Sequence, residues 1–397
     1  MDMQGNSDDQ SIVERLLASL NRKPKSLNYN EKQELIRLDL SDFGLVAMPN
    51  ELASLRNLQW LSLSGNNLTT LPAEIGQLSN LHTLLLESNL LTRLPAAIGQ
   101  LSNLQEFTLS WNNLVTLPIE IKQLRNLQKL ALTGNQLTAL PPGIGQLSNL
   151  RQLTLGWNRL RSLPEEIGQL SNMQELHLSK NQLMAVPVEI GRMSRLQELS
   201  LSANQLQSLP EEIGQLPDLR MLALQWNRLT ILPAAIGQLH NLRCLLLIAN
   251  QLTALPSEIG RLSNLQELSL TGNKLAVLPP EIGQLRNLQE LSLTDNKLTI
   301  LPPEIGQLRN LQELSLDKNQ LTVLPLEMGQ LHNLQRLTLS ENPLIFLPPE
   351  IEQLSNLQDF LPPDPPDTSP SSFEQSDRWQ HFLPNEQYEK QNPFSEN

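Results

Sequence analysis

The chain has 397 residues, a formal net charge of −12 and one cysteine, Cys244. The acidity argues against a nucleic-acid-binding surface, and a single thiol excludes an internal disulfide framework or a multi-cysteine metal centre. No apolar run is long enough to span a bilayer, so a soluble, cytoplasmic protein is expected.

Residues 1–9 are polar and acidic. They lack the basic start and apolar run of a secretory signal peptide. Ile12, Val13, Leu16, Leu17 and Leu20 then recur at helical spacing, which predicts an amphipathic helix. Residues 1–34 are expected to form an N-terminal helical cap over the apolar edge of a repeat array. From Leu35 the sequence becomes periodic, opening on Leu35, Leu38 and Leu40, with Phe43 in a slot that asparagine fills afterwards.

That asparagine returns every 23 residues at Asn66, Asn89, Asn112, Asn135, Asn158, Asn181, Asn204, Asn227, Asn250, Asn273, Asn296, Asn319 and Asn342. In one repeat Leu58, Leu61, Leu63, Asn66, Leu68, Leu71, Pro72, Ile75 and Leu78 hold fixed offsets. Self-similarity at this period with this leucine spacing is the leucine-rich-repeat signature. Leu61 and Leu63 alternate with Ser62 and Ser64, the pattern of a short strand buried on one face. Asn66 has donors and an acceptor for backbone groups of the turn, in its own repeat and the next one. Leu68, Leu71, Ile75 and Leu78 face the core, and Pro72 suits the first position of a helical turn. The fold expected over residues 35–360 is an α/β class right-handed solenoid, a horseshoe with a parallel concave sheet and short helical or irregular convex segments. Stacked repeats bury what no repeat buries alone.

Scaffold positions repeat, so binding information lies where repeats differ. Glutamate dominates the first outward strand column, as at Glu175, Glu198, Glu267, Glu290 and Glu313, but Met221 and Cys244 interrupt it. The same two repeats place Ala223 and Leu246 where serine or threonine prevails, then Ile248, with Trp226 just beyond. Met221, Ala223, Trp226, Cys244, Leu246 and Ile248 are expected to form one apolar patch bordered by Glu198 and Glu267. Apolar patches with polar rims mark interfaces, and tryptophan is a favoured anchor. Trp111 and Trp157 share the column of Trp226 and extend the surface. Scattered drift among copies is the plainer alternative. Nearby, Arg195 and Asp218 break a second asparagine column that includes Asn57, Asn80 and Asn103.

Beyond Leu357 the pattern fails. Residues 361–397 are proline-rich and acidic and are expected to be largely disordered, although Phe373, Trp379, Phe382, Tyr388 and Phe394 suit a C-terminal cap or a docking segment.

No catalytic residue, cofactor or metal site is expected. There is no phosphate-binding glycine loop. His177 shares a face with Glu175 and Glu198, but on an open sheet these three lack outer contacts to fix them. Arg220 and Arg243 beside Cys244 can lower its pKa, yet no histidine sits there as a base, so Cys244 reads as an ordinary surface cysteine.

The stretch Leu71 to Pro95 resembles the Ras-group leucine-rich repeats, as found in bacterial proteins of the ROCO type; the resemblance covers about residues 35–360. It implies a protein-binding module whose partner is a small GTPase or another signalling protein. Apart from the resemblance, a non-catalytic monomer that binds neither nucleic acid nor membrane is expected. The Ras-like GTPase domain that succeeds such repeats in those proteins has no counterpart here. The alternative is a secreted bacterial effector or a ubiquitin-ligase-like repeat protein without a recognisable catalytic domain.

Overall fold

A computed structural model describes residues 8–20 and 22–363. The aromatic residues of the tail, Phe373 to Phe394, lie outside the described residues. The chain divides between Gln205 and Leu206 into two compact units.

The first unit opens with helix α1 (Asp8–Leu20). Ile12, Val13 and Leu16 are buried, and α1 packs on the turn at Asn50–Ser54. Asp9 also accepts a hydrogen bond from Leu35 N–H at 2.9 Å. Strand β1 (Ser26–Tyr29) then runs antiparallel to β2 (Leu35–Asp39). The 23-residue period gives no hint of β1, because it lies before the period starts. From β2 onward the pairing is parallel and keeps to chain order through β3 (Trp60–Ser62), β4 (Thr83–Leu85), β5 (Glu106–Thr108), β6 (Lys129–Ala131), β7 (Gln152–Thr154), β8 (Glu175–His177) and β9 (Glu198–Ser200). The second unit repeats this with β10 (Met221–Ala223), β11 (Cys244–Leu246), β12 (Glu267–Ser269), β13 (Glu290–Ser292), β14 (Glu313–Ser315), β15 (Arg336–Thr338) and β16 (Asp359–Leu361). Each strand pairs with its equivalent one repeat away, so identical columns line up across each sheet.

Each strand returns through a five-residue 3-10 turn such as Ala73–Gln77. Proline precedes this turn rather than starting it. Pro72 has an extended ψ of 158°, and its carbonyl accepts the first turn bond from Ile75 N–H at 3.2 Å. Only the second proline of a pair, as at Pro142 or Pro280, enters the turn itself. Ile75 and Leu78 are fully buried. Gly76 suits adjacent turns that nearly touch: a Cβ there would lie 2.8 Å from the Ala97 carbonyl.

The asparagine ladder is buried in both units, but it reaches backward. Asn112 Nδ2 donates to Leu109 O in its own repeat at 3.0 Å and to Leu86 O in the preceding repeat at 2.9 Å. Its Oδ1 accepts from Leu91 N–H, also in the preceding repeat, at 3.0 Å. The expected tie to the next repeat is therefore reversed: the asparagine enters its turn after the strand, and the nearest unpaired groups belong to the turn already laid down. Each such amide satisfies several buried backbone groups at once. A second, exposed ladder runs along the opposite edge, where Asn103 donates to Ser79 O and Asn264 to His240 O. Among the described residues no helix is long and apolar enough to cross a membrane.

Candidate functional site

In the second unit, the parallel register sets Met221 beside Cys244 and Ala223 beside Leu246. Met221, Cys244, Leu246 and Ile248 are half-buried on the outward face, and Trp226 is 59 % exposed. Ala223 does not contribute as expected: it is buried, as are the equivalent Ser62, Thr108, Ala131, Ser269 and Thr338 of other repeats. The patch is therefore carried by five residues. Glu267 borders it at the next strand, whereas Glu198 belongs to β9 of the first unit.

Cys244 is half-buried rather than at the surface. Its Sγ donates to Glu267 Oε2 at 3.1 Å. Burial, that hydrogen bond and the charges of Glu267 and Glu290 push the thiol up to about 12. The arginines at 220 and 243 do not reverse this, because the nearer charge is a carboxylate. The cysteine stays a neutral thiol and an apolar part of the patch.

Sequence reasoning missed the pocket beside the patch. Asp218, Arg220, Asn241, Arg243 and Asn264 line a cavity of about 200 Å³. Asn241 and Asn264 donate to Pro217 O and His240 O as members of the exposed ladder. Arg220 and Arg243 occupy equivalent positions one repeat apart, in a column where glutamine is the usual residue. The signal was present: Asp218 marks the same repeat as a departure. Two guanidiniums side by side suit a carboxylate or phosphate.

Beyond Glu267 the face becomes an acidic stripe, with Glu267, Glu290 and Glu313 in register on β12, β13 and β14. Glu290 titrates above the usual carboxylate range through partial burial and the charges of Glu267 and Glu313, with Arg336 opposing. Arg336 ends the stripe by pairing with Glu313 at 3.2 Å and Asp359 at 3.0 Å.

In the first unit, Trp111 and Trp157 are 56 % and 53 % exposed. Their ring centroids lie 6.4 Å apart, tilted by 48°. Gly134, in the repeat between them, makes room: a Cβ there would lie 2.5 Å from the Trp111 ring. Lys180 Nζ sits 3.4 Å from the Trp157 centroid, a cation–π contact. Trp111, Trp157 and Trp226 all hold left-handed backbone, with φ between 54° and 58°. Bulky side chains avoid that region, and holding them there costs roughly 1–2 kcal/mol each. Gly65, Gly134 and Gly272 share the column, which is the sequence signal for it. Also in this unit, Glu175, His177 and Glu198 place one ligand atom each within 4.8 Å of one another.

The chain matches the family described as Leucine-rich repeat region over residues 21–112, 107–199, 186–274 and 236–316, and the Leucine Rich Repeat family over residues 333–354. No curated protein matches it. Among solved structures, a leucine-rich-repeat protein of Leptospira interrogans is 42 % identical, with 82 % of this chain and 95 % of that one covered and a TM-score of 0.65. The plant peptide hormone receptor RGFR1, solved in complex with RGF2, is 31 % identical over 83 % of this chain, with a TM-score of 0.65. The chain spans 62 % of that receptor's length. YopM from Yersinia enterocolitica is 27 % identical, with 84 % and 67 % covered and a TM-score of 0.61.

Proposed function

We propose that this chain, which belongs to the leucine-rich-repeat proteins, is a non-catalytic scaffold that binds a protein on the outward strand face of its second unit. One observation carries the reading: Met221, Cys244, Leu246 and Ile248 stand where polar residues prevail, with Trp226 beside them, in two adjacent repeats whose buried leucines and ladder asparagines are unchanged. Residues that depart from their own consensus without serving the core are free to serve recognition. The pocket at Arg220 and Arg243 lies at the entry to the same two strands. A partner that sets an apolar side chain on the patch and an acidic group on the arginines fits both.

Relatives support a protein ligand, since the plant receptor is solved in complex with RGF2. The Ras-group resemblance makes a small GTPase or another signalling protein the partner class, met in the cytoplasm by a monomer. Trp111 and Trp157 provide a further aromatic contact in the first unit. The similarity to YopM favours, as a second reading, a bacterial effector that binds a host protein through the same kind of face.

The test is affinity capture with the wild type and with a Trp226→Ala/Leu246→Glu variant of equal thermal stability. The variant is expected to lose the wild type's partners, with affinity reduced at least about 30-fold for an anchor residue of this kind. Recovery of the same partners by both baits removes the patch as the site.

A further inference from the structure

The sheet of the first unit treats its outward glutamates unequally. Glu106 is neutralised by Lys129 on the next strand at 2.9 Å. Glu175 and Glu198 also lie in register on adjacent strands, yet no lysine or arginine pairs with either among the described residues. Their companion is His177, whose Nε2 is 3.8 Å from Glu175 Oε2. Like carboxylates opposite one another destabilise a sheet, so this juxtaposition calls for a positive charge that no lysine or arginine among the described residues supplies.

The sequence alone argues against a metal here for want of outer contacts, and the structure supplies one. Gln152 on β7 donates from Nε2 to Glu175 Oε2 at 2.7 Å, which fixes the orientation of that carboxylate. Ser200, beside His177 in register, is already bonded to Ser179 at 2.6 Å, which leaves the imidazole free to face the two carboxylates. The three side chains are partly exposed, so an ion can reach them from solvent.

We propose that Glu175, His177 and Glu198 bind one divalent transition-metal ion of the zinc type. An imidazole with two carboxylates suits such an ion, whereas calcium and magnesium prefer all-oxygen sites. Two carboxylates balance the charge of the ion. Metal–ligand bonds of about 2.0–2.2 Å bring donor atoms to about 3.3 Å from one another in a tetrahedral site. The donor atoms, now within 4.8 Å of one another, close by rotation of the half-exposed side chains, with no movement of the strands. A fourth position stays open to water or to a side chain of a bound molecule.

The experiment titrates the metal-free full-length protein with Zn²⁺ by calorimetry and with Co²⁺ by visible absorption. One saturable ion per chain is expected, with the intense Co²⁺ bands of a low-coordinate site. His177→Ala or Glu198→Gln should weaken binding by more than about 100-fold and Gln152→Leu by about 10-fold, since outer partners count for 10–100-fold. Binding should also fall from about pH 7.5 to about pH 5.5 as protons compete for the ligands. Melting curves of the metal-free variants that overlay the wild type establish that the loss is one of ligands. His240→Ala, at an unrelated surface position, should change nothing. Absence of saturable binding, equal binding by the wild type and His177→Ala, or displacement of Zn²⁺ by Ca²⁺ overturns the proposal.

Discussion

Strands β10–β11 and β12–β14 stand on the same scaffold and present opposite chemistry. In both regions each strand buries its central leucine and the ladder asparagine behind it, and each pairs in the same register. Outward, one region shows Met221, Cys244 and Leu246, and the other shows Glu267, Glu290 and Glu313. The stability of these repeats and their surface character are therefore written in separate positions. A change in one class of position leaves the other intact, which is what lets a repeat array diversify without unfolding.

The sharpest way to break this comparison is at the ladder. Asn250→Ala beneath the apolar region and Asn296→Ala beneath the acidic one should each lower stability by about 1–3 kcal/mol, through buried backbone groups left unpaired. Urea denaturation reads this. Unequal losses, beyond about 0.5 kcal/mol, mean that the two regions do not share one scaffold.

A smaller effect tests the border between them. With its thiol pushed up to about 12, Cys244 should be alkylated at pH 8 more than about 10-fold slower than an unhindered cysteine. Glu267→Gln removes the carboxylate that accepts the thiol proton and should speed the reaction. Mass spectrometry of the labelled protein tracks both rates, and an unchanged rate in the variant separates Cys244 from the acidic stripe.

The smallest effect lies within the stripe. Because the folded-state pKa of Glu290 is raised, the folded chain holds that proton more tightly than the unfolded one. The resulting penalty is absent at low pH and grows as pH rises through the unfolded value toward the folded value. Glu290→Gln should therefore stabilise the protein slightly at neutral pH, with the difference vanishing below about pH 4 and shrinking in high salt. Thermal melts across pH check the sign.

What the sequence displayed and what it hid obey one rule. Positions that repeat were legible: thirteen buried asparagines and the leucines around them fall where the 23-residue period places them. The columns of Met221, Cys244 and Ile248 were legible too, because departure from a period is itself a signal. The depth of a side chain was not. Ala223 counts as apolar in a column, but that column is buried in several repeats, as at Ser62, Thr108 and Ser269. Directions were hidden as well: the period cannot say that Asn112 reaches back to Leu86 rather than forward. Contacts between columns were invisible for a related reason. Gln152 orients Glu175, and Gly134 lets Trp111 approach Trp157, through side-chain reach that no spacing encodes.

The backward reach of the ladder also governs how such a gene can change length. Asn296 needs a carbonyl 26 residues earlier, at Leu270, and an amide 21 residues earlier, at Leu275. Insertion or loss of a whole 23-residue segment recreates those partners, while any other length presents an asparagine with the wrong ones. Growth and shrinkage are thus quantised. The identical stretches Leu278 to Leu293 and Leu301 to Leu316 have the form that one such step leaves behind.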